Sequence, residues 1–218
     1  MAERELPPED RTVSRPPEVH DLGRERIAAG EKISVPPDPE RVAEIKRHIT
    51  AGFPSWPQDI VPTAQYFLST EREAALLALR ELVSDPDTDV LIKEEIIWLI
   101  GEDRIKELLP LINNILQQEI ESRDDEGLVS AALKVASKIG SEDSANAIHS
   151  LIMRPNEIYM KSLAINALEE IGSEKSPPVL IELAKNVIAN YDREEIGPYI
   201  EIIRDALGAA VQIDPYYS

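Results

Sequence analysis

Apolar residues recur at helical spacing along most of this chain, and four of the apolar stretches close with an aliphatic residue followed by glycine. The four closing pairs are Ile100-Gly101, Ile139-Gly140, Ile171-Gly172 and Leu207-Gly208. The glycines stand 39, 32 and 36 residues apart, and the two inner pairs continue identically as Ile-Gly-Ser-Glu. A recurrence of this period is typical of helix pairs stacked into a solenoid, in which neighbouring repeats share one core.

Alignment on the glycines predicts which side of each helix faces the core. The residues one, four, five, eight and nine positions before each glycine are mostly apolar, and these positions share one helix face. Lys93 and Arg204 interrupt the face. Both lie in outer repeats, which are often atypical because one of their sides meets water. The pattern predicts an all-α fold with helices at 71–84, 90–100, about 103–121, 127–139, 142–153, 157–171, 177–190 and 198–212.

The N-terminal part of the chain differs in composition, since ten of the 17 prolines fall within residues 1–62. We predict a Pro-rich arm over residues 1–38 that is disordered or extended, because proline and charge leave too little apolar surface to offset the entropy of ordering. Residues 39–70 are predicted to form a helical adaptor and N-terminal cap, with helices over 39–51 and 58–69. Residues 71–218 then form an α-solenoid of about four helix pairs.

Composition narrows the class of protein. The chain has no cysteine, which excludes disulfides, thiolate metal sites and a cysteine nucleophile. The first residues carry charge and proline rather than an apolar leader, and no apolar run approaches the length of a membrane span. We therefore expect a cytoplasmic protein that does not enter a membrane.

The chain is strongly acidic, with a net charge of −18 at pH 7. Most of this charge falls in residues 71–218, where 14 Lys and Arg face 29 Asp and Glu, a net of −15. Such a surface repels the phosphates of nucleic acids and attracts basic proteins. A charge that serves only solubility is the alternative. We expect a protein partner with a basic surface and no nucleic acid.

No motif in the chain predicts catalysis. The loop Asp85-Pro86-Asp87-Thr88-Asp89 resembles a calcium-binding loop, but Val90 stands where glycine is needed and Ile96 where a bidentate glutamate is needed. The three histidines are far apart in sequence, and His149 is expected on an exposed helix face. We predict a repeat turn at residues 85–89, no metal or cofactor, no catalytic residue and no enzyme activity.

The candidate partner-binding residues lie on the second helix of each predicted pair, at positions outside the apolar face. Amide-rich stripes flanked by acids suit a basic or mixed polar partner. An ordinary solvated face is the alternative at each position. Trp56, between two prolines, either plugs the N-terminal end of the solenoid or anchors a partner. The full set of candidates is Asn113, Gln117, Asn146, His149, Glu182, Lys185, Asn186 and Trp56.

Residues 71–212 resemble HEAT repeats of the phycobilin-lyase type. The resemblance rests on the Asp85-Pro86-Asp87 loop, on first helices that end in Ile-Gly or Leu-Gly, and on alanine or proline early in the second helix, as at Ala145 and Pro178. It implies a solenoid and says little about function. One departure is Leu91, which follows Val90 where that family often carries arginine.

A second, shorter resemblance links residues 40–52 to the helix of flagellar anti-sigma factors, although Pro54 stands where that family prefers tyrosine. Together these features favour a non-enzymatic interaction module or scaffold that binds a protein partner. An inhibitory binder, such as an anti-sigma-like regulator or a toxin immunity protein, is one alternative. The HEAT resemblance adds a bilin lyase or isomerase subunit as the second.

Overall fold

The computed structural model describes residues 36–51, 59–118, 123–154, 158–190 and 197–217. The predicted arm therefore lies outside the described residues except for its last three positions. Residues Pro37–Ser218 form one compact unit. The described residues contain ten α-helices and no strand, which confirms the predicted all-α class.

The helices keep their order along the chain. They are α1 (Pro39–Thr50), α2 (Ile60–Thr70), α3 (Arg72–Ser84), α4 (Val90–Glu102), α5 (Leu109–Gln117), α6 (Arg123–Ile139), α7 (Glu142–Ile152), α8 (Ile158–Ile171), α9 (Ser176–Asn190) and α10 (Ile200–Ile213). Short 3-10 turns lie at Lys106–Leu108, Gly197–Tyr199 and Pro215–Tyr217.

Most boundaries lie close to their predicted positions, and the clearest exception is the segment predicted as one helix over 103–121. There the chain forms the 3-10 turn at Lys106–Leu108 and then the shorter helix α5. Pro110 lies in the first turn of α5, where its missing N–H costs no hydrogen bond. The helix thus begins beside its proline, and the residues before it turn the chain.

Only the two inner glycines end their helices. Gly140 and Gly172 have φ values of 65° and 67°, the left-handed conformation that commonly follows a helix. Gly101 and Gly208 instead lie within α4 and α10. The prediction that a helix ends before Gly101 was therefore wrong, whereas the helix predicted over 198–212 already contains Gly208. At the end of α4 the left-handed residue is Arg104, with φ 48°.

This shift corrects the predicted core face of the outer repeats. Counted back from Arg104, the residues at the fourth, fifth, seventh and eighth positions in α4 are all buried, as are the equivalent residues before Gly140 and Gly172. In α10, Leu207 is 43% exposed while Ala206, Ala209 and Ala210 are buried. Lys93 and Arg204 interrupted the predicted apolar face because alignment on Gly101 and Gly208 placed these two helices in the wrong register. Exposure of the end repeats to water is therefore not the explanation.

Alternate helices pack against one another and form two rows. One row contains α2, α4, α6, α8 and α10, each in contact with the next. In the other row α1 contacts α3, while α5 contacts α7 and α7 contacts α9. The buried side chains form one continuous core of mostly Ile, Leu, Val and Ala. Such close helix packing is what a sequence with 5% aromatic residues favours.

Polar side chains also join elements that are about one repeat apart in sequence. The pairs include Lys46–Glu81, Arg72–Glu107, Lys138–Glu102 and Lys175–Glu142, with nitrogen–oxygen distances of 2.5–3.1 Å. Among such contacts within the described residues, the separation along the chain ranges from 27 residues, for His149 and Ser176, to 38, for Gln65 and Asp103. Surface pairs of this kind stabilise only weakly, but they show which elements are neighbours.

Three alanine substitutions test these glycine assignments. Gly208→Ala should stabilise the protein by about 0.5–1 kcal/mol, because Gly208 is helical and a Cβ there meets nothing within 4 Å. Gly101→Ala should destabilise it, because the Cβ would lie 2.8 Å from Val135 Cγ2. Gly172→Ala should cost about 1–2 kcal/mol through its left-handed φ. Urea unfolding measures the stability of all three variants. Changes in stability of the same sign for Gly101→Ala and Gly208→Ala would contradict the positions assigned to these two glycines.

Candidate partner-binding surface

Five of the predicted binding residues are exposed on three successive helices of one row. Gln117 lies at the end of α5, Asn146 on α7, and Glu182, Lys185 and Asn186 on α9. Because α5 contacts α7 and α7 contacts α9, these helices present neighbouring surfaces. Trp56 lies outside the described residues.

The other two candidates, Asn113 and His149, form hydrogen bonds between helices. Asn113 is half-buried, and its Oδ1 accepts a hydrogen bond from Ser144 Oγ at 2.9 Å. His149 is also half-buried, with Nε2 2.9 Å from Ser176 Oγ. The expectation that His149 is an exposed surface residue was therefore wrong, because the ring packs toward the next helix pair.

A repeated sequence signal marks these bonds. The shared Ile-Gly-Ser-Glu motif continues to a second serine in both copies, Ser144 and Ser176, and both serines are 0% exposed. Each of these buried hydroxyls bonds to a polar side chain of the preceding second helix, Asn113 or His149. A buried hydroxyl needs such a partner, so an inward-facing serine repeated in this way predicts a polar contact between repeats.

The two copies of the motif line a pocket of about 340 Å³, formed by residues 140–142 and 171–175. Glu142 Oε1 lies 2.8 Å from Lys175 Nζ, and its Oε2 accepts a hydrogen bond from Ser173 Oγ at 2.8 Å. The hydrogen bond from Lys175, followed by that from Ser173, lowers the pKa of Glu142 below its ordinary value. Lys175 and Ser173 thus favour the ionised form of the Glu142 carboxyl group.

Two basic residues that the sequence pattern does not single out hold the carboxyl ends of α5 and α7. Arg154 donates to the backbone oxygens of Gln117 and Gln118 at the end of α5, both at 2.7 Å. Lys161, only 8% exposed, donates to the backbone oxygens of Ile152 and Arg154 at 2.8 and 2.7 Å. Burial lowers the pKa of Lys161. Cations at these positions satisfy the free carbonyls and the negative end of the helix dipole.

The acidic loop before α4 acts as a turn and a helix cap. Asp85 Oδ1 accepts the backbone N–H of Asp87 at 2.9 Å, and Asp89 Oδ1 accepts that of Leu91 at 2.9 Å. Asp89 is the N-cap of α4, a role that aspartate commonly fills. Within the described ranges, no group of three or more His, Asp or Glu side chains could hold a metal ion. Of the helices described, none has both the length and the apolar character needed to cross a bilayer.

Comparison with family models, with curated proteins and with solved structures gives no match for this chain.

The half-buried His149 predicts a specific pH dependence of stability. Burial, opposed by Glu142 and assisted by Lys175, lowers its pKa below the ordinary 6.5. As pH falls through 6.5, the unfolded chain takes up a proton at this residue before the folded chain does. His149 therefore makes the folded state progressively less stable down to its own lowered pKa. The substitution His149→Gln keeps a hydrogen-bonding group near Ser176 but removes this titration.

We expect His149→Gln to lose less stability than the wild type between pH 7.5 and pH 5, measured as the free energy of unfolding in urea. This range stays above 4.5, the ordinary pKa of the glutamate side chains. Asn146→Gln, at an exposed position on the same helix α7, is the control: it removes no titratable group, so its stability should follow the wild type across this range. If the free energy of unfolding changed with pH in the same way for wild type and His149→Gln, the lowered pKa of His149 would be contradicted.

Proposed function

We propose that this chain is a non-enzymatic protein-interaction module, a HEAT-like α-solenoid of about four helix pairs that binds a protein with a basic surface. The observation that carries the proposal is the series of side-chain contacts between residues 27 to 38 positions apart. Contacts at that separation, together with two rows of alternating helices, are what stacked repeats produce.

The proposed binding face is the exposed side of α5, α7 and α9, with Gln117, Asn146, Glu182, Lys185 and Asn186 as its residues. These side chains are polar, exposed and carried on neighbouring helices. Their amides offer both donors and acceptors, and the surrounding domain carries a net charge of −15. A basic partner would be drawn in by that charge and positioned by the amides.

The polar groups with shifted pKa values support a binding role over a catalytic one. Glu142 is engaged by Lys175 and Ser173, His149 by Ser176, and Lys161 by two backbone carbonyls. Each of these groups thus has a structural partner that accounts for its position. Glu142 lines a pocket, but both of its carboxylate oxygens already pair with Lys175 or Ser173, whereas a general acid or base must be able to reach a substrate atom.

The test compares three baits in affinity capture from a native lysate: wild type, a double variant of the proposed face, and a control. The double variant is Asn146→Arg with Glu182→Lys. The control is Glu170→Lys on α8, an exposed acid in the other row of helices. We expect a protein retained by wild type and control to be lost from the double variant. Equal capture by all three baits would reject the proposed face.

Kinetics with the captured protein, once purified, test the charge of the partner. Association should slow steeply between about 0.05 and about 0.5 M salt, because screening shortens the range of electrostatic steering. Dissociation should change less. A rate of association that is independent of salt would contradict recruitment by charge.

A further inference from the structure

The outward face of α4 carries two large apolar side chains in water. Leu91 and Trp98 are 51% and 53% exposed, and their separation of seven residues places them on the same side of the helix. The opposite side of α4 supplies the core with Ile92, Ile96, Ile97, Leu99 and Ile100. The fold therefore does not use Leu91 or Trp98 to bury α4, and both side chains are accessible on one side of the helix.

Acidic side chains surround this apolar pair. Glu94 and Glu95 lie one turn before Trp98, and Glu102 lies one turn after it, on the same face. Glu102 Oε1 is 2.5 Å from Lys138 Nζ on α6. Glu94 leans toward the same helix, since its Oε1 is 2.7 Å from where a Cβ on Gly127 would lie. Within the part of the chain that the structure describes, Glu94 and Glu95 take part in no salt bridge.

We propose that this α4 face, defined by Leu91, Glu94, Glu95, Trp98 and Glu102, docks a basic amphipathic segment of another protein. An exposed indole is a frequent anchor of protein interfaces, and its ring attracts lysine and arginine side chains. The neighbouring carboxylates pair with further basic residues of the segment, while its apolar residues cover Leu91. Trp98 supplies affinity, and the glutamates select for positive charge.

The charge of the protein decides among the possible occupants. A second copy of this chain would bring the same carboxylates and another net charge of −18 to the interface. Nucleic acids and anionic lipid surfaces would meet the same repulsion. A basic protein segment is the occupant that matches both the apolar pair and the acids around it. The α4 face lies in the other helix row from the surface of α5, α7 and α9, so this proposal extends the proposed function to a separate surface.

The test uses a labelled amphipathic peptide of lysine and leucine at helical spacing, with fluorescence anisotropy as the measure of binding to the full chain. Trp98→Ala should weaken binding at least about tenfold. The double variant Glu94→Gln with Glu95→Gln should also weaken it and should flatten its dependence on salt. Both changes alter exposed or half-exposed side chains, and circular dichroism checks that the fold is retained.

Matched controls separate this surface from general attraction to an acidic protein. Tyr159→Ala removes an aromatic side chain that is 60% exposed on α8, and Glu170→Gln with Glu174→Gln removes two exposed charges elsewhere. Both controls should bind the peptide as the wild type does. Glu201→Lys, at an exposed position of α10 outside both proposed surfaces, should also leave the affinity unchanged. The two proposals fail separately, because capture by the surface of α5, α7 and α9 is tested with substitutions on those helices and peptide binding with substitutions on α4.

The fluorescence of Trp98 locates the contact. The chain has two tryptophans, so Trp56→Phe leaves Trp98 as the only indole. Its emission should shift to the blue when the peptide binds. Three results would overturn the proposal: unchanged affinity in Trp98→Ala, equal binding of the same peptide with glutamate in place of lysine, or a blue shift caused by protein concentration alone. A red shift on deletion of residues 1–35 would also overturn it, because the chain itself would then cover the face.

Discussion

Replacement of Ala164 or Ala132 by aspartate should unfold the protein or lower its stability by several kcal/mol. Both alanines are 0% exposed, on α8 and α6, two helices that pack against each other. A carboxylate at either position would be buried without a partner, and breaking the pairing of a buried charge typically costs about 3–5 kcal/mol. Since a domain is stable by only about 5–15 kcal/mol, this loss removes much of the margin.

Asn166→Asp is the matched control for Ala164→Asp, because it adds the same charge two residues away at an exposed position of α8. Its stability should stay within about 0.5 kcal/mol of the wild type. Helical circular dichroism and urea unfolding measure all three variants. If Ala164→Asp were as stable as Asn166→Asp, the register of α8 assigned here would be wrong.

The ends of α6 and α8 could be predicted from the sequence because several local signals agree there. Gly140 and Gly172 both follow an aliphatic residue and both take a left-handed φ. Each stands at the end of a helix whose apolar residues lie on one face. Ala132 and Ala164 therefore fall in the predicted core. Where the local sequence signals agree with the position of a residue in the fold, pattern and spacing are sufficient to predict the helix end and the buried residues.

The end of α4 shows why the same signal failed elsewhere. Gly101 resembles a helix end in sequence, but it lies inside α4, where the absence of a side chain allows close approach of Val135 on α6. The actual end of α4 has Arg104 in the left-handed conformation, which sequence propensity disfavours for a residue with a Cβ. The sequence alone does not distinguish a glycine that allows close helix packing from a glycine that ends a helix.

The sequence likewise predicts some residues of the candidate surface and not others. Exposure of Gln117, Asn146 and Glu182 follows from helical periodicity, because these positions lie opposite apolar ones. The burial of Lys161 does not follow from it, since Lys161 donates to the backbone oxygens of Ile152, the last residue of α7, and of Arg154 just after that helix. Contacts between helices decide which polar residues are structural, and only the repeated serines at 144 and 176 signal such contacts in the sequence.

Deletion of residues 1–70 should destabilise the remaining chain by several kcal/mol, because it removes α1 and α2 from the surface of α3. Both helices pack against α3, whose buried residues are Ala75, Ala78, Leu79, Leu82 and Val83. A buried leucine contributes about 1.5–3 kcal/mol, so exposing part of this set costs on the order of 3–5 kcal/mol. The contacts of Arg41 with Glu71 and of Lys46 with Glu81 are lost as well.

Deletion of residues 1–35 is the control, since it leaves the compact unit that begins at Pro37 and the helix cap at Asp38. We expect this shorter deletion to unfold at the same urea concentration as the full chain. The deletion of residues 1–70 should unfold at a lower concentration and lose more helical circular dichroism than α1 and α2 account for, because α3 loses its cover. Equal midpoints for the two deletions would mean that α3 is stable without α1 and α2. The first two helices would then be free to serve a partner instead of the core.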